Sequence, residues 1–486
     1  MVLEQCAVKL LYGKADDHQS VLYYFHAFTV PSPSSRLSLT LDMVTEHATQ
    51  IPVALFSPDG RERLVQAPEG GKGHLHESWF LTEACASPGG IPGIVEQGIW
   101  KLVLYKRRFD EDITCDITID ATALMPVSHA SFPYALSFPS LVKRSDPGWY
   151  CGELHVHSDH STGRDSVHAV LDEAERQGLD FIALTDHFTA SHWLDLEKEQ
   201  HRDILCLRSM EISGERGHAN VHGVREWINP FVDGNEELAR FLGLEKKPTM
   251  ESIADTIHAQ GGLFCLNHTL SGLVSWRYHE FPVEKADLFE IWCLADGPTS
   301  FLYPVCWDMY LHQGLHLVGV GSSDSHKAKG DPVWQLGNIR TWVYAGELSQ
   351  KGILDGLKSG RAYVSYGDSR LDFSLTQKGQ TIGMGGICDC EEEMVFKVTL
   401  SQHPRGNLFI IVDGQIHDIL AVPASARDTV HFVLHPADTG RNKPYDSYVR
   451  LEFHEELVKA KYYGMAYRDA STMRLLSNPI WIHQGE

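Results

Sequence analysis

The hydrophobic pattern divides the chain into three segments, and the first, residues 1–145, reads as β-structure. Short stretches either alternate apolar and polar positions or are rich in aromatic residues, and turn signals such as Ser57-Pro58-Asp59-Gly60 separate them. This pattern is typical of antiparallel strands and predicts a β-sandwich-like domain. The predicted strands include Val21–Phe25, Arg36–Leu41, Pro52–Phe56, Trp100–Tyr105 and Asp116–Ile119.

The second segment, residues 146–368, repeats a strand, a loop and a helix. Apolar residues recur at helical spacing from Val167 to Ala174, with Asp165 or Ser166 as N-cap and Gly178 beyond the end. Further helices are predicted from about Met250 to Gln260 and from Tyr303 to His312. The alternation predicts an α/β domain with a parallel sheet, open or closed as a barrel. Its strands are short apolar runs: Leu179–Leu184, Ile204–Leu207, Gly262–Leu266, Leu288–Trp292 and Leu315–Gly319.

The third segment, residues 369–486, returns to β patterning and predicts a C-terminal β domain. Val412-Asp413-Gly414-Gln415 is a hairpin signal between two strands. The predicted strands include Val395–Leu400, Leu408–Val412, Val430–Leu434 and Val449–Phe453.

Composition narrows the class of protein. The 486 residues carry a formal charge of −22, so the chain should repel nucleic acid. No apolar run is long enough to span a bilayer, and we expect no secretory signal at the N-terminus. The ten cysteines form no CxxC pair, which favours reduced, packed thiols and a cytoplasmic location. The sequence leaves open whether the chain forms a homo-oligomer.

The histidines carry the chemical signal, since more than half of the 27 fall in residues 151–330. His155 and His157 are two apart and therefore face one side of a strand. The ends of parallel barrel strands meet on one face, where active sites are built. Imidazole and carboxylate without thiolate suit catalytic Zn, Mn or Fe. The clusters at five strand ends are Glu153–Gly163, Leu184–His187, Met210–Asn220, Leu266–His268 and Gly321–His326.

Several neighbouring residues have two interpretations from sequence. Asp159, His160 and Asp165 are either ligands or loop surface, and Glu290 and Trp292 either line a pocket or pack in the core. His222 is interpreted as support for the fold or for the ligands. Four cations are either solvated surface charges or an anion grip, namely Arg164, Arg216, Arg277 and Lys327.

These residues resemble the PHP (polymerase and histidinol phosphatase) family of metal-dependent hydrolases. The likeness rests on motifs spread over about 175 residues, and Gly217–Asn220 with Leu288–Trp292 look most like its carbaryl-hydrolase-like (CehA/McbA) branch. Glu211 matches the family's bridging glutamate, and His218 matches the histidine that follows it. The four family motifs are matched by His155-Val156-His157, Thr185-Asp186-His187, Asn267-His268 and Ser323-Asp324-Ser325-His326.

The resemblance implies a distorted (β/α)7 barrel (the PHP fold), flanked by the two β domains, with up to three metals. The first metal would be held by His155, His157, Glu211 and Asp324. The second would be held by Glu211, His218 and His268. The third would be held by His187, His326 and an aspartate, but Thr162 occupies the aspartate position. We therefore expect two or three divalent ions per chain (Zn, Mn or Fe), with the third weak unless Asp159, His160 or Asp165 replaces the missing ligand.

The expected chemistry is hydrolysis by a metal-bridging hydroxide. A phosphate mono- or diester is the leading substrate, so the partner would be a small anionic ester. Asp324, His187 and His326 are the predicted catalytic residues, with either histidine as proton donor. The alternatives are hydrolysis of a carbamate, ester or amide at the same centre, and a non-catalytic metal- or ligand-binding module.

Overall fold

A computed structural model describes residues 1–10, 23–45, 49–67, 69–70, 73–105, 113–123, 141–234, 236–293, 302–330, 335–439, 446–455, 458–459, 466–467 and 472–483. Val21 and Leu22 of the first predicted strand lie outside these residues. The N-terminal strands are β1 (Val2–Leu10), β2 (Tyr23–Val30), β3 (Ser34–Thr45), β4 (Thr49–Gln50), β5 (Val53–Phe56), β6 (Glu62–Gln66), β7 (Glu69–Gly70), β8 (Gly73–Thr82), β9 (Gly98–Tyr105) and β10 (Ile113–Ala123).

The N-terminal strands form two four-stranded antiparallel sheets, ordered β1-β10-β3-β8 and β2-β9-β5-β6. Side chains from both sheets, among them Phe28, Leu39 and Trp100, share one buried core. Residues alternate between this core and solvent along β3 and β10, which is the pattern expected of a sheet with one covered face.

The middle of the chain alternates strands and helices. It also contains two short 3-10 helices, Gly272–Val274 and Val283–Lys285. Its other elements are β11 (Val142–Arg144), β12 (Gly148–Val156), α1 (Val167–Arg176), β13 (Phe181–Leu184), α2 (Trp193–Lys198), β14 (Leu205–Gly214), β15 (Gly217–His222), α3 (Glu236–Leu242), α4 (Met250–Ala259), β16 (Leu263–Leu266), β17 (Leu288–Cys293), α5 (Leu302–Leu311), β18 (Val318–Ser322), β19 (Ile339–Ala345), β20 (Leu348–Ser349), α6 (Gln350–Lys358) and β21 (Ala362–Tyr366).

The remaining strands are β22 (Arg370–Gln377), β23 (Gln380–Gly383), β24 (Ile387–Asp389), β25 (Met394–His403), β26 (Gly406–Val412), β27 (Gln415–Val422), β28 (Ser425–Leu434), β29 (Ser447–His454), β30 (Val458–Lys459), β31 (Ala466–Tyr467), β32 (Met473–Ser477) and β33 (Ile480–His483). The predicted hairpin joins β26 to β27. Asp413 and Gly414 both have positive φ, as a two-residue hairpin turn requires.

The site is carried by one large sheet in the order β18-β17-β16-β15-β14-β13-β12-β19-β21-β32-β29-β26-β27. Pairing is parallel from β12 to β14 and from β16 to β18. A bridge between Val156 and Ser325 brings the far end of the sheet back to β12, and His157 N donates to Ser325 O at 2.9 Å. The strand ends that carry the histidines therefore meet.

The (β/α)7 barrel implied by the family resemblance is not shown. β14 and β15 form an antiparallel hairpin without a helix between them, and β15 also pairs antiparallel with β16. On the other side, β12 continues antiparallel into β19, so the sheet extends into the C-terminal segment instead of ending there. The described residues are mostly β-structure. The boundaries at residues 145 and 368 stay predictions.

Local capping signals explain where helices α1 and α4 begin. The Ser166 side chain accepts from Ala169 N at the start of α1, and Gly178 has a φ of +74° just beyond its end. Thr249 and Ser252 form a reciprocal capping box at α4. The strand predicted at Leu315–Gly319 begins instead at Val318. Leu315 N donates to Tyr310 O, so the first residues of this stretch form the turn that ends helix α5.

Both outer segments contact the α/β segment. Phe56 and Tyr105 of the N-terminal sandwich share a buried cluster with Phe188 and Phe231. On the opposite side, Asn478 hydrogen-bonds both the N–H and the carbonyl of Gly319 in β18. Among the described residues, no helix is long and apolar enough to cross a membrane.

Candidate metal centre

Six histidines and two carboxylates reach the candidate centre from six strands. His155 lies on β12 and His157 follows it directly, while Glu211 lies on β14 and His218 on β15. The others follow the ends of their strands: His187 after β13, His268 after β16, and Asp324 and His326 after β18. The structure thus brings together every residue that the sequence predicts as a metal ligand.

Glu211 lies at the middle of the cluster, with its two carboxylate oxygens facing different histidines. Oε1 is 3.0 Å from His218 Nδ1 and 3.4 Å from His155 Nε2. Oε2 is 2.7 Å from His187 Nδ1 and 3.6 Å from His157 Nε2. A carboxylate that offers each oxygen to a separate set of imidazoles has the geometry of a bridging ligand.

Asp324 closes the other side of the cluster. Its Oδ1 lies 3.2 Å from His155 Nε2 and 3.1 Å from His157 Nε2. The rings of His187 and His326 lie 4.4 Å and 4.3 Å from the His157 ring and 6.2 Å from each other. Asp324 therefore shares two imidazoles with Glu211, as two neighbouring metal positions would require.

Four groups of three side chains have ligand atoms within 4.8 Å of one another among the described residues. Two of them differ from the sets that the resemblance implies, because His187 joins Glu211 and His218, and His268 joins His155 and Glu290. The detailed division of ligands between metals stays a prediction. The groups are His155–His157–Asp324, His187–Glu211–His218, His155–His268–Glu290 and His157–His187–His326.

The charges of this cluster are strongly coupled. Burial alone would raise the pKa of Glu211, but His187, His218 and His155 outweigh it and hold that pKa well below its usual range. Asp324 is also held well below its usual pKa, with His155 as the largest opposing influence to burial. The surroundings therefore favour the ionised form of both carboxyl groups.

The histidines respond in two ways. Burial, followed by the neighbouring His326 and His187, lowers the pKa of His157 to about 3, which keeps this imidazole neutral. In contrast, Glu211 and Glu290 overcome burial at His268 and raise its pKa to about 9. A proton on an imidazole here supplies the positive charge that a divalent cation would supply in the same place.

Unpartnered buried nitrogens test whether the site fits a metal. Among the described residues, His155 Nε2, His157 Nδ1 and His268 Nδ1 are buried and make no hydrogen bond. Buried polar atoms normally have a partner, because leaving one unmade costs about 1–3 kcal/mol. Of these three atoms, His155 Nε2 faces both carboxylates, at 3.4 Å from Glu211 and 3.2 Å from Asp324. His157 and His268 turn their other nitrogen, Nε2, toward Glu211. Imidazole nitrogens directed at two carboxylates form a donor set that suits a divalent transition metal.

The backbone around the centre is strained at three positions. Phe188, His268 and Asp324 have φ values of +65°, +25° and +51°, a region that non-glycine residues rarely adopt. Each follows a strand end that carries a ligand, and such strain is found where the surrounding structure holds a functional geometry.

A buried carboxylate, Asp186, fixes the loop after His157. It accepts from Ser158 N at 2.8 Å, from Ser158 Oγ at 2.6 Å and from Ser161 Oγ at 2.6 Å. His192 Nδ1 lies 3.3 Å from Asp186 Oδ2. Asp186 is therefore tied to the loop and belongs to none of the ligand groups among the described residues.

The residues considered as replacements for a missing aspartate are turned elsewhere. His160 hydrogen-bonds Ser191 and Asp195 at 2.8 Å and 2.9 Å, and Asp165 Oδ2 accepts from Ala328 N at 2.8 Å. Among the described residues, neither these two nor Asp159 belongs to a ligand group. Thr162 Oγ1 is buried without a hydrogen bond to any described residue. The group His157–His187–His326, which contains both histidines predicted for a third metal, consists of imidazoles alone.

Solvent reaches the centre beside His326. This side chain is 27% exposed and Asp324 is 13% exposed, whereas His157 and Glu211 are fully covered. Arg164 N donates to His326 O at 2.9 Å, which places the exposed Arg164 at this opening.

Two of the four flanking cations are used elsewhere. Arg216 pairs with Glu280 and Asp233, and Arg277 contacts the carbonyl of Glu215. Within the described ranges, the side chains of Arg164 and Lys327 form no ion pair, so these two remain candidates for an anion grip.

Two buried carboxylates lie beneath the ligands, and sequence reasoning gave no role to the first of them, Glu153. Glu153 accepts from Ser323 N at 3.0 Å and from Gly337 N at 2.9 Å, and burial raises its pKa to about 8. Glu290, left open between core and pocket wall, contacts His155 and His268. Glu153 lies two residues before His155 and therefore on the same strand face, which was a usable signal.

Neither a family model nor a curated protein sequence matches the chain. Among solved structures, it is similar to a two-domain protein from Bacteroides vulgatus containing a predicted PHP-like metal-dependent phosphoesterase, at 17% identity and a TM-score of 0.37, over 70% of this chain and 100% of that one. A protein from Bifidobacterium adolescentis, assigned as a metal-dependent phosphoesterase, shares 16% identity at a TM-score of 0.29, over 38% and 90%.

An amidohydrolase from Chromobacterium violaceum shares 15% identity at a TM-score of 0.29, over 38% of this chain and 89% of that one. These scores are too low to support an argument about function. The likeness to the CehA/McbA branch is not confirmed by them.

Proposed function

We propose that the chain is a metal-dependent hydrolase that cleaves phosphate mono- or diesters. The observation that carries the proposal is the buried cluster in which Glu211 offers its two oxygens to separate sets of imidazoles, with His155 Nε2 facing both carboxylates without a hydrogen bond to any described residue. Divalent metals bound to such a set would activate water as a nucleophile and offset negative charge on the attacked group.

The exposed edge of the centre favours an anionic substrate. His326 and Asp324 are the ligand-type side chains that solvent reaches most, and Arg164 and Lys327 flank His326 on the surface. A substrate that approaches there meets two cations on a chain whose net charge is −22. That local reversal of charge supports a phosphate ester over a neutral ester.

His326 is the better placed of the two predicted proton donors. His187 is 7% exposed, and its Nδ1 is held by Glu211 Oε2 and by Ser213 Oγ at 2.5 Å. His326 Nδ1 faces the backbone oxygen of Asp324 at 3.0 Å, which leaves its other nitrogen for substrate. We therefore assign His326 as the group that protonates the leaving oxygen.

The test is a substrate panel on metal-loaded protein: p-nitrophenyl phosphate, bis-p-nitrophenyl phosphate and a naphthyl carbamate. The proposal expects turnover of a phosphate ester, with KM raised in Arg164→Ala and unchanged in Arg61→Ala, a control on the N-terminal sandwich. Cleavage of the carbamate alone would favour the carbamate, ester or amide alternative. Tight metal binding without turnover of any substrate would favour a non-catalytic module.

A further inference from the structure

Glu290 lies on β17 directly beneath the candidate centre and is 2% exposed. Its Oε1 is 3.2 Å from His155 Nδ1 and also receives the Ser322 hydroxyl. Its Oε2 accepts from the backbone N–H of His268 at 2.8 Å. One buried carboxylate thus contacts three other strands or strand ends of the sheet, and two of these contacts are to predicted metal ligands.

The contact with His155 decides which ring nitrogen faces the centre. A carboxylate only accepts hydrogen bonds, so His155 donates Nδ1–H to Glu290. The lone pair of a neutral imidazole then lies on Nε2, the atom that faces Glu211 at 3.4 Å and Asp324 at 3.2 Å. Nε2 makes no hydrogen bond with any described residue.

The contact with His268 supports a strained position. His268 has a φ of +25°, and its backbone N–H is held by Glu290 while its Nε2 lies 3.6 Å from Glu211 Oε1. A backbone of this kind persists only where its surroundings hold it. The positions of His155 and His268 thus both depend on the two carboxylate oxygens of Glu290.

We infer that Glu290 is a positioning residue that selects Nε2 of His155 as the metal-binding atom and seats His268. The inference rests on the metal binding proposed above. It differs from the alternative in which Glu290 is itself a ligand, because both of its oxygens are already engaged by His155, Ser322 and His268.

Glu290→Gln is the informative variant because an amide cannot serve both partners. If the amide oxygen accepts from His268 N–H, its NH2 faces His155 Nδ1, which must then become an acceptor and move its proton to Nε2. If the amide is turned round, its NH2 opposes the N–H of His268. Either orientation removes one ligand from its binding geometry, while side-chain volume is almost unchanged.

We expect the metal-stripped Glu290→Gln protein to bind Zn²⁺ about 10- to 100-fold more weakly than the unaltered chain, measured by competition with a chromogenic chelator. The matched control is Glu173→Gln, a buried glutamate on α1 that contacts Arg176 and Gln177. This control should keep its Zn²⁺ affinity. Thermal unfolding of the stripped proteins checks that both remain folded.

A second measurement needs no variant of Glu290. In zinc-loaded protein with ¹⁵N-labelled histidine, the His155 signals, identified by their loss in His155→Gln, should show a protonated Nδ1 and a zinc-bound Nε2. A zinc-bound Nδ1 on His155, or equal Zn²⁺ affinity in Glu290→Gln and the unaltered chain, would overturn the inference. Failure of the unaltered chain to bind Zn²⁺, Mn²⁺ or Fe²⁺ would instead overturn the proposed function.

Discussion

The buried ion pair between α5 and β29 gives the sharpest prediction about how the C-terminal segment is held. Arg450 is fully buried, and its Nε and Nη2 donate to the two oxygens of Asp308 at 2.7 Å and 2.5 Å. Its Nη1 donates to Glu452 at 2.7 Å, and the Tyr448 hydroxyl donates to Asp308 Oδ1 at 2.9 Å. Asp308→Ala removes the acceptor of three of these four bonds.

The expected loss is about 3–5 kcal/mol in the free energy of unfolding, the usual cost of leaving one buried charge without its partner. The Arg450 guanidinium keeps its hydrogen bond to Glu452 in this variant, so we expect a loss in the lower half of this range. Asp355→Ala is the control, because it breaks an exposed pair with Lys351 whose side chains are 63% and 81% exposed. Exposed pairs of this kind contribute little to stability.

Equilibrium urea unfolding, followed by tryptophan fluorescence, would measure the difference. Trp307 is a natural reporter, since its ring lies 5.5 Å from the Arg450 guanidinium. The transition of Asp308→Ala should move to clearly lower urea, and that of Asp355→Ala should stay near the unaltered protein. If Asp308→Ala is no less stable than the control, the pair does not hold the two segments together and the reasoning is refuted.

Three further predictions concern the centre and its surroundings. Glu211→Ala and Asp324→Ala should each lower turnover more than about 100-fold, because removing groups that only orient metal ligands already lowers activity about 10- to 100-fold. Circular dichroism should show that both variants keep the fold. Near-normal turnover with normal metal content would contradict the assignment. Thr162→Asp should raise metal content by elemental analysis, while the neutral Thr162→Asn should not; three tightly held metals in the unaltered chain would refute this. Burial raises the pKa of Glu62 to about 8, so this acid destabilises the fold increasingly as pH rises from about 4.5 to 8. Glu62→Gln should therefore lose less thermal stability over that range than the unaltered chain, and parallel stability–pH curves would contradict the prediction.

The parts of the site that could be predicted from sequence are those fixed by local periodicity. His155 and His157 share a strand face because side chains alternate, and both reach Asp324 in the structure. His187 and His268 follow short apolar strands whose ends lie at one edge of the sheet, so their convergence follows from the strand pattern.

The parts that could not be predicted depend on which strands are neighbours. From sequence, Glu290 either lines a pocket or packs in the core, because its contacts depend on β17 lying between β16 and β18, where its two oxygens meet His268 and Ser322. The antiparallel return of β15 was missed because the predicted strand at Ile204–Leu207 ends before the turn at Gly214. Continuation of the sheet through β21 into β32 is likewise a tertiary pairing without a local signal.

The most direct test of the central claim is a metal titration of the stripped protein, read by phosphate-ester hydrolysis. The account predicts that chelation abolishes turnover and that Zn²⁺, Mn²⁺ or Fe²⁺ restores it, saturating near two equivalents per chain, with no restoration in Glu211→Ala. Full turnover in protein shown by elemental analysis to be free of metal would contradict the account, as would equal restoration in Glu211→Ala.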